Sequence, residues 1–143
     1  MTDHPGPASV SLPRAIAEAI EVQARAEVPL EACGLIAGTS PAASGGVALR
    51  YVACRNAAES PVRYTVHPDD LYRVTVGADD ADEVIWGIVH SHVRSPAVPS
   101  LTDVGLALYP EALYLVISLA DEPGLRAWRI IDGEKHEVEL ELA

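Results

Sequence analysis

The chain has 143 residues, of which 49% are hydrophobic and 22% are charged, and its formal net charge is -11. This length suits one domain with a sizeable core. The acidic balance excludes nucleic acids and anionic membrane surfaces as expected partners, and no apolar segment is long enough to span a bilayer as a helix.

The N-terminus and the cysteines indicate where the protein works. Residues 1–13 are polar and rich in proline, which is unlike a secretory signal peptide. We expect residues 1–8 to be disordered and residues 9–143 to form a single domain. Two cysteines, Cys33 and Cys54, are too few for a disulfide framework. We therefore expect reduced thiols in a cytoplasmic protein.

The first half of the chain predicts two helices between short strands. Apolar residues recur at helical spacing after Pro13, a residue type favoured at the first helical position, so we predict an amphipathic helix over 13–27. Pro68 and the acidic residues after it predict a second helix over 67–77. Apolar segments bounded by turn residues predict strands over 9–12, 32–37, 47–55 and 63–66.

The second half is built around one strongly apolar segment. Residues 84–89 show little alternation, which predicts a central strand buried on both faces. Two prolines predict a loop over 95–99, followed by a helix from Ser100 to about Leu108. Further strands are predicted over 113–119, 125–131 and 135–140, the last two joined by a hairpin at 132–133. This order predicts an α+β fold: a mixed, mostly antiparallel, partly closed sheet with flanking helices.

Two histidines with one residue between them end the central strand. Side chains alternate along a strand, so His90 and His92 point to the same face and place two imidazoles side by side. Asp103, eleven residues after His92, can supply a third ligand. Three nitrogen or oxygen ligands with one open position are the pattern of catalytic zinc. The sequence therefore predicts one zinc ion per chain at these three residues.

Ser100 and Asp103 also fit a purely structural interpretation. Ser-x-x-Asp is close to a capping box, in which both residues satisfy the first amides of a helix without any metal. A His-x-His pair can likewise be a pair of ordinary core or surface histidines. The joint occurrence of strand, proline-rich loop and acid favours a ligand set, and Ser100 can serve both as cap and as site residue.

Glu31 lies at the entrance of the predicted strand over 32–37. Its carboxylate is either a solvated group at a strand edge or a general base next to a metal site, and the spacing alone does not choose between the two. Cys33, two residues further on, is interpreted as a buried structural thiol rather than a reactive one.

Taken together, these residues resemble the motif of the JAMM (MPN+) zinc metalloprotease family. That motif is an upstream Glu, then His-x-His, seven residues, Ser, two residues and Asp. The segments EACGLIAG, VHSH, PSLTDV, YLVIS and LRAWRIIDG extend the resemblance over nearly the whole chain, to the short prokaryotic members. The resemblance implies a cytidine-deaminase-like α+β fold and zinc-dependent peptidase activity.

The resemblance also implies a role for each residue of the motif. His90, His92 and Asp103 would bind zinc, with water as the fourth ligand. Glu31 would accept a proton from that water and pass it to the leaving amine. Ser100 would position the water or stabilise the oxyanion.

The short prokaryotic members imply the substrate. It is the amide bond after the C-terminal Gly-Gly of a ubiquitin-like sulfur-carrier protein, with release of cysteine from a carrier–cysteine adduct in cysteine biosynthesis. Two alternatives stay open: trimming of extra residues from a carrier precursor, and a non-catalytic MPN-type scaffold that only binds partners. Arg55, Arg63 and Arg94 are candidates to hold a substrate carboxylate, although each can equally be a surface arginine. A homodimer is compatible with the sequence, which does not require one.

Overall fold

The computed structural model describes residues 6–120 and 124–143. The part of the predicted disordered N-terminus over 1–5 lies outside these residues. The helices and strands, in chain order, are β1 (Ser9–Leu12), α1 (Arg14–Glu27), β2 (Cys33–Gly38), β3 (Ala48–Cys54), α2 (Pro68–Asp80), β4 (Val84–His92), α3 (Leu101–Gly105), β5 (Leu113–Ser118), β6 (Leu125–Ile131) and β7 (Glu134–Leu142), with a short 3-10 turn at Ala42–Ser44.

The strands form one curled, seven-stranded sheet in the order β1-β7-β6-β5-β4-β2-β3. The pairs β1/β7 and β4/β5 are parallel, and the other four neighbouring pairs are antiparallel. This arrangement confirms the predicted α+β fold with a mixed, mostly antiparallel sheet. The hairpin predicted at Asp132-Gly133 is also confirmed, since both residues have the positive φ that a tight hairpin turn requires.

Hydrophobic cores lie on both faces of the sheet. Helix α1 buries Ile16, Ile20 and Ala24, spaced four residues apart, against β3, β4 and β5. Helix α2 buries Val74 and Ala78 against the strands β4 and β3. Strand β4 is therefore covered on both sides, which explains why its sequence is apolar without alternation. None of the helices within residues 6–120 and 124–143 is long and apolar enough to cross a membrane.

Two elements differ from the sequence prediction: the helix α3 and the segment 63–66. Helix α3 ends at Gly105, three residues before the predicted end, because the hydroxyl of Tyr114 accepts hydrogen bonds from the amides of Leu108 and Tyr109. The strand predicted over 63–66 is wrong: only an isolated bridge between Asn56 and Val66 is present.

The side chain of Asn56 replaces a partner strand for this segment. Its amide group donates to the carbonyl oxygen of Arg63, and its own oxygen accepts a hydrogen bond from the amide of Thr65. The same amide group donates to the carbonyl of Glu31. Asn56 thus joins the extended segment 63–66 directly to the residue that precedes β2 by two positions.

Candidate metal centre

The two histidines of β4 lie side by side at its C-terminal end. His90 and His92 are only 1% and 4% exposed, and their Nε2 atoms lie 3.1 Å apart. Ser91 between them points the other way, where its hydroxyl oxygen accepts a hydrogen bond from the amide of Ala32. Strand alternation therefore points both imidazoles to one face, while Ser91 on the other face holds the chain at Ala32, next to Glu31.

Asp103 reaches the same point from helix α3. Its Oδ2 lies 3.1 Å from Nε2 of His90 and 3.2 Å from Nε2 of His92. The same oxygen accepts a hydrogen bond from the amide of Ser100, and the Ser100 hydroxyl oxygen accepts one from the amide of Asp103. The two interpretations of this pair are thus compatible: the capping box is complete, and it also fixes Asp103 against the histidines.

The spacing of the three atoms fits a small tetrahedral metal ion. A zinc ion with bonds of about 2.0–2.1 Å holds neighbouring ligand atoms about 3.3 Å apart in a tetrahedron. The separations here, 3.1, 3.1 and 3.2 Å, are close to that edge. Two imidazole nitrogens and one carboxylate oxygen are also ligands that zinc accepts. The residues present therefore fit the metal that the sequence predicts.

The charges of Asp103 and His90 suit metal binding. Burial raises the pKa of Asp103, but the hydrogen-bonded histidines outweigh it and hold that pKa well below its usual range, so the carboxylate is anionic. Burial lowers the pKa of His90, which keeps this ring neutral. For His92, burial is outweighed by the contacts with Asp103 and the carbonyl of Pro96, which raise its pKa.

Each histidine ring is held in place by a second contact. Nδ1 of His92 lies 2.8 Å from the carbonyl oxygen of Pro96. Because a carbonyl only accepts, Nδ1 carries the proton, and the lone pair of Nε2 faces the centre. The ring of His90 stacks on Tyr64, with centroids 4.3 Å apart and planes 16° apart. Sequence analysis gave Tyr64 no role, because its contact with His90 depends on the segment that Asn56 orders.

Glu31 is the fourth polar group at the centre. One of its oxygens and one nitrogen from each histidine lie within 4.8 Å of one another. The residue is only 3% exposed, and its Oε1 has no hydrogen-bond partner among the described residues. The solvated alternative for Glu31 is therefore wrong. Burial is the main cause that raises the pKa of this carboxyl to about 7, so Glu31 can exchange a proton near neutral pH.

The loop between the histidines and α3 is held by three of its carbonyl groups. The Ser118 hydroxyl donates to the carbonyl of Ser95, the Trp128 indole to that of Ala97, and the Lys135 ammonium to that of Pro99, over 2.7, 3.0 and 3.1 Å. These three donors lie on β5, β6 and β7 in turn. The curled sheet therefore sets where the loop places Ser100 and Asp103.

The three candidate arginines lie in different surroundings. The guanidinium of Arg55 donates to both carboxylate oxygens of Asp70, which also accepts from the Arg55 amide. Arg94 lines a cleft together with Glu31, His92 and Ser100. Arg63 lines a second cleft, which contains Asp103 but not Glu31. Arg55 thus has a structural partner, whereas Arg63 and Arg94 face the clefts next to the centre.

Cys33 takes no part in the centre. Its thiol is buried, and burial above all raises its pKa to about 12, so it stays protonated at neutral pH. Its Sγ lies 3.5 Å from the carbonyl oxygen of Arg55. These observations agree with a structural thiol.

Comparisons with known proteins point in the same direction as the geometry. A family profile described as prokaryotic homologs of the JAB domain matches residues 13–131. The chain is 39% identical over 120 residues to the CysO-cysteine peptidase of Mycobacterium tuberculosis, covering 82% of this chain and 80% of that protein. It is 34% identical over 95 residues to the desampylase of Haloferax volcanii, covering 66% of this chain and 67% of that protein.

Solved structures share the architecture. A protein of Desulfitobacterium hafniense has a TM-score of 0.81 and 29% identity, covering 94% of this chain and 92% of its own. A JAB1/MPN domain protein of Archaeoglobus fulgidus has a TM-score of 0.56 at 19% identity, covering 93% of this chain and 98% of its own. The latter likeness concerns the fold alone.

Proposed function

The chain belongs to the JAB/MPN domain family, as one of its prokaryotic members, and it is a JAB-type hydrolase; from this premise we propose that it is a zinc-dependent peptidase acting on a ubiquitin-like sulfur-carrier protein. It cleaves the amide bond after the carrier's C-terminal Gly-Gly and releases cysteine, which places it in cysteine biosynthesis. One observation carries the proposal. The Nε2 atoms of His90 and His92 and Oδ2 of Asp103 form a triangle, and the buried Glu31 lies beside it.

Three residues would hold the zinc ion: His90, His92 and Asp103. A zinc ion there would supply Lewis acidity, polarising the scissile carbonyl and making water acidic near neutral pH. The hydrogen bond from His92 to Pro96 and the ring stack of Tyr64 on His90 orient the two imidazoles before any metal arrives.

Glu31 moves the proton in this reaction. Its carboxylate accepts one proton from the attacking water, whose oxygen bonds to the carbonyl carbon. The bond between that carbon and the amide nitrogen then breaks, and Glu31 gives the proton to the leaving amine. In the metal-free protein, burial raises the pKa of this carboxyl to about 7, which makes it a stronger base than a fully solvated glutamate.

Ser100 is suited to stabilise the charge that develops on the carbonyl oxygen. Its hydroxyl oxygen accepts the capping hydrogen bond from Asp103, and this leaves the hydroxyl hydrogen available to donate. Ser100 also lines the cleft that contains Glu31 and His92. A fixed donor at that position lowers the barrier because it needs no rearrangement during the reaction.

The rest of the proposal concerns the substrate and the setting. A Gly-Gly tail is thin because glycine has no side chain, so it can pass the buried centre in an extended form. The names of the two relatives, CysO-cysteine peptidase and desampylase, support a small protein substrate. We propose a single cytoplasmic domain over 9–143, active alone or as a homodimer. The scaffold alternative is disfavoured, since a partner-binding role needs no such set of ligands and base.

An intact-mass assay tests this function. The zinc-loaded protein is incubated with a sulfur carrier that ends in Gly-Gly-Cys, with and without a zinc chelator. We expect the carrier to lose one cysteine residue only in the absence of chelator. An unchanged carrier mass with zinc bound would refute the substrate, and cleavage that persists in the chelator-treated, zinc-free protein would refute the metal dependence.

A further inference from the structure

Most basic residues of this acidic chain have a partner. Seven of the ten lysines and arginines bind a carboxylate or a backbone carbonyl through their side chains: Arg25, Arg50, Arg55, Arg73, Arg126, Arg129 and Lys135. The side chains of Arg14, Arg63 and Arg94 make no hydrogen bond or ion pair with residues 6–120 or 124–143. Two of these three line the clefts on either side of the candidate centre.

We propose that Arg94 binds the α-carboxylate of the amino acid that leaves, and that this contact makes the enzyme select substrates with one residue after the scissile bond. The inference rests on the proposed function and extends it to the specificity of the leaving group. The contact between Arg94 and the α-carboxylate would distinguish an enzyme that releases a free amino acid from one that cuts an isopeptide bond to a lysine side chain.

The position of Glu31 decides on which side the leaving group lies. The leaving nitrogen takes its proton from Glu31, so it must come within hydrogen-bond reach of that carboxylate. Glu31 lines the cleft that contains Arg94 and is absent from the lining of the cleft that contains Arg63. The leaving amine therefore occupies the Arg94 cleft, while the carrier approaches from another direction.

The chemistry of an amino acid then brings its carboxylate towards Arg94. In a released α-amino acid only one carbon separates the amine nitrogen from the carboxylate carbon, so both groups occupy the same cleft. The cleft has apolar walls, formed by Val28, Pro29, Pro61 and Val62. Its lining contains one arginine, and that arginine is exposed to solvent and has no partner among the described residues. A planar guanidinium can bind a carboxylate through two parallel hydrogen bonds.

An isopeptide substrate lacks this feature. The lysine of a protein target offers its side-chain amine, while its own α-carboxyl is part of a peptide bond and carries no charge. A residue followed by further residues likewise presents a neutral amide in place of the carboxylate. Arg94 would thus favour carriers that bear a single C-terminal amino acid.

A pair of substrates isolates this contact. One carrier ends in Gly-Gly-Cys with a free carboxylate, and the other ends in the same residues with a C-terminal amide. For the wild-type protein we expect kcat/KM to be about 10- to 100-fold higher for the acid, the size of a hydrogen-bonded contact between charged groups. For Arg94→Gln we expect this acid-to-amide ratio to fall to about one, and Arg94→Lys to restore part of it.

Arg63→Gln is the matched control, since it removes the same charge from the other cleft. Its acid-to-amide ratio should stay at the wild-type value. Equal cleavage of both substrates by the wild type, or a ratio that Arg94→Gln leaves unchanged, would overturn the role of Arg94 while the peptidase function stands. Cleavage of neither substrate by the zinc-loaded wild type would overturn the proposed function, and the inference with it.

Discussion

Asp103 Oδ2 lies 3.1 Å from Nε2 of His90, although Asp103 comes thirteen positions later in the chain. The same oxygen accepts the hydrogen bond of the Ser100 amide that completes the cap of helix α3. One carboxylate atom thus joins the end of the central strand to the start of a helix. A change at Asp103 therefore affects both the metal centre and the helix cap, and the two effects can be separated.

We expect Asp103→Ala to abolish zinc binding, because it removes one of three ligands and leaves two buried histidines without their anion. Ser100→Ala removes the cap oxygen but no ligand, so it should keep zinc and lose about 1 kcal/mol of stability. Metal analysis and thermal unfolding of both variants measure the two effects. An Asp103→Ala protein that is folded and carries one zinc per chain would show that Asp103 is only a helix cap and not a zinc ligand.

Trp128→Phe tests whether the sheet positions the metal loop. The change removes the indole hydrogen bond to the carbonyl of Ala97 and should weaken zinc binding as well as lower stability by about 1–3 kcal/mol. Trp86→Phe is the matched control, since its indole donates to the carbonyl of Gly46, outside the loop. We expect a similar loss of stability there with unchanged zinc affinity. Equal zinc affinity in both variants would contradict a positioning role for Trp128.

Glu31 makes the stability of the metal-free protein depend on pH. Burial is the main cause of its raised pKa, about 7 against an ordinary 4.5, so folding favours the protonated form. The protonated carboxyl therefore contributes fully to the stability of the folded state below pH 4.5, and this contribution is lost as the pH rises through 7. Metal-free Glu31→Gln should therefore become more stable than wild type above pH 7, by at most about 3 kcal/mol. Denaturant unfolding at pH 5 and pH 8 measures this, and a constant difference between the two pH values would contradict it.

Asp70 provides a stability prediction away from the centre. Its hydrogen bonds with Arg55, joined by one from Arg73, hold its pKa well below the usual range. The stabilisation is thus present above the unfolded pKa of about 3.9 and is lost as the pH falls further. Because the two arginines are largely exposed, we expect Asp70→Asn to cost about 1–3 kcal/mol at pH 7.

The exposed Asp69 next to it supplies the control. Asp69→Asn should change stability by less than about 0.5 kcal/mol. We expect peptidase activity per folded molecule to persist in Asp70→Asn, since Arg55 is bound to Asp70 rather than to substrate. A selective rise in KM for the substrate with a free carboxylate would instead assign Arg55 to the binding site.

The sequence was informative where spacing along one element sets the geometry. Strand alternation predicts that His90 and His92 share a face, and an apolar run without alternation predicts that β4 is covered on both sides. Both features are local to one strand, so they could be predicted from the residues themselves. The contact of Asp103 with the histidines was implied by the family motif, because donors on three distant strands hold the loop that positions it.

The features that could not be predicted depend on contacts between distant segments. Helix α3 is short because Tyr114, on the next strand, accepts the amides that would have continued it. Residues 63–66 form no strand because their backbone groups bond to the side chain of Asn56 instead of to a neighbouring strand. The burial that raises the pKa of Glu31 likewise comes from the folded surroundings. Tertiary contacts of this kind override local propensity.

The most direct test of the account compares the zinc-loaded wild type with zinc-loaded Glu31→Gln on a carrier that ends in Gly-Gly-Cys. Zinc content is measured on the same samples as the carrier mass. We predict one zinc per chain in both proteins, loss of one cysteine residue with the wild type, and an unchanged carrier with Glu31→Gln. Cleavage by zinc-loaded Glu31→Gln at the wild-type rate would contradict the assignment of Glu31 as the group that moves the proton.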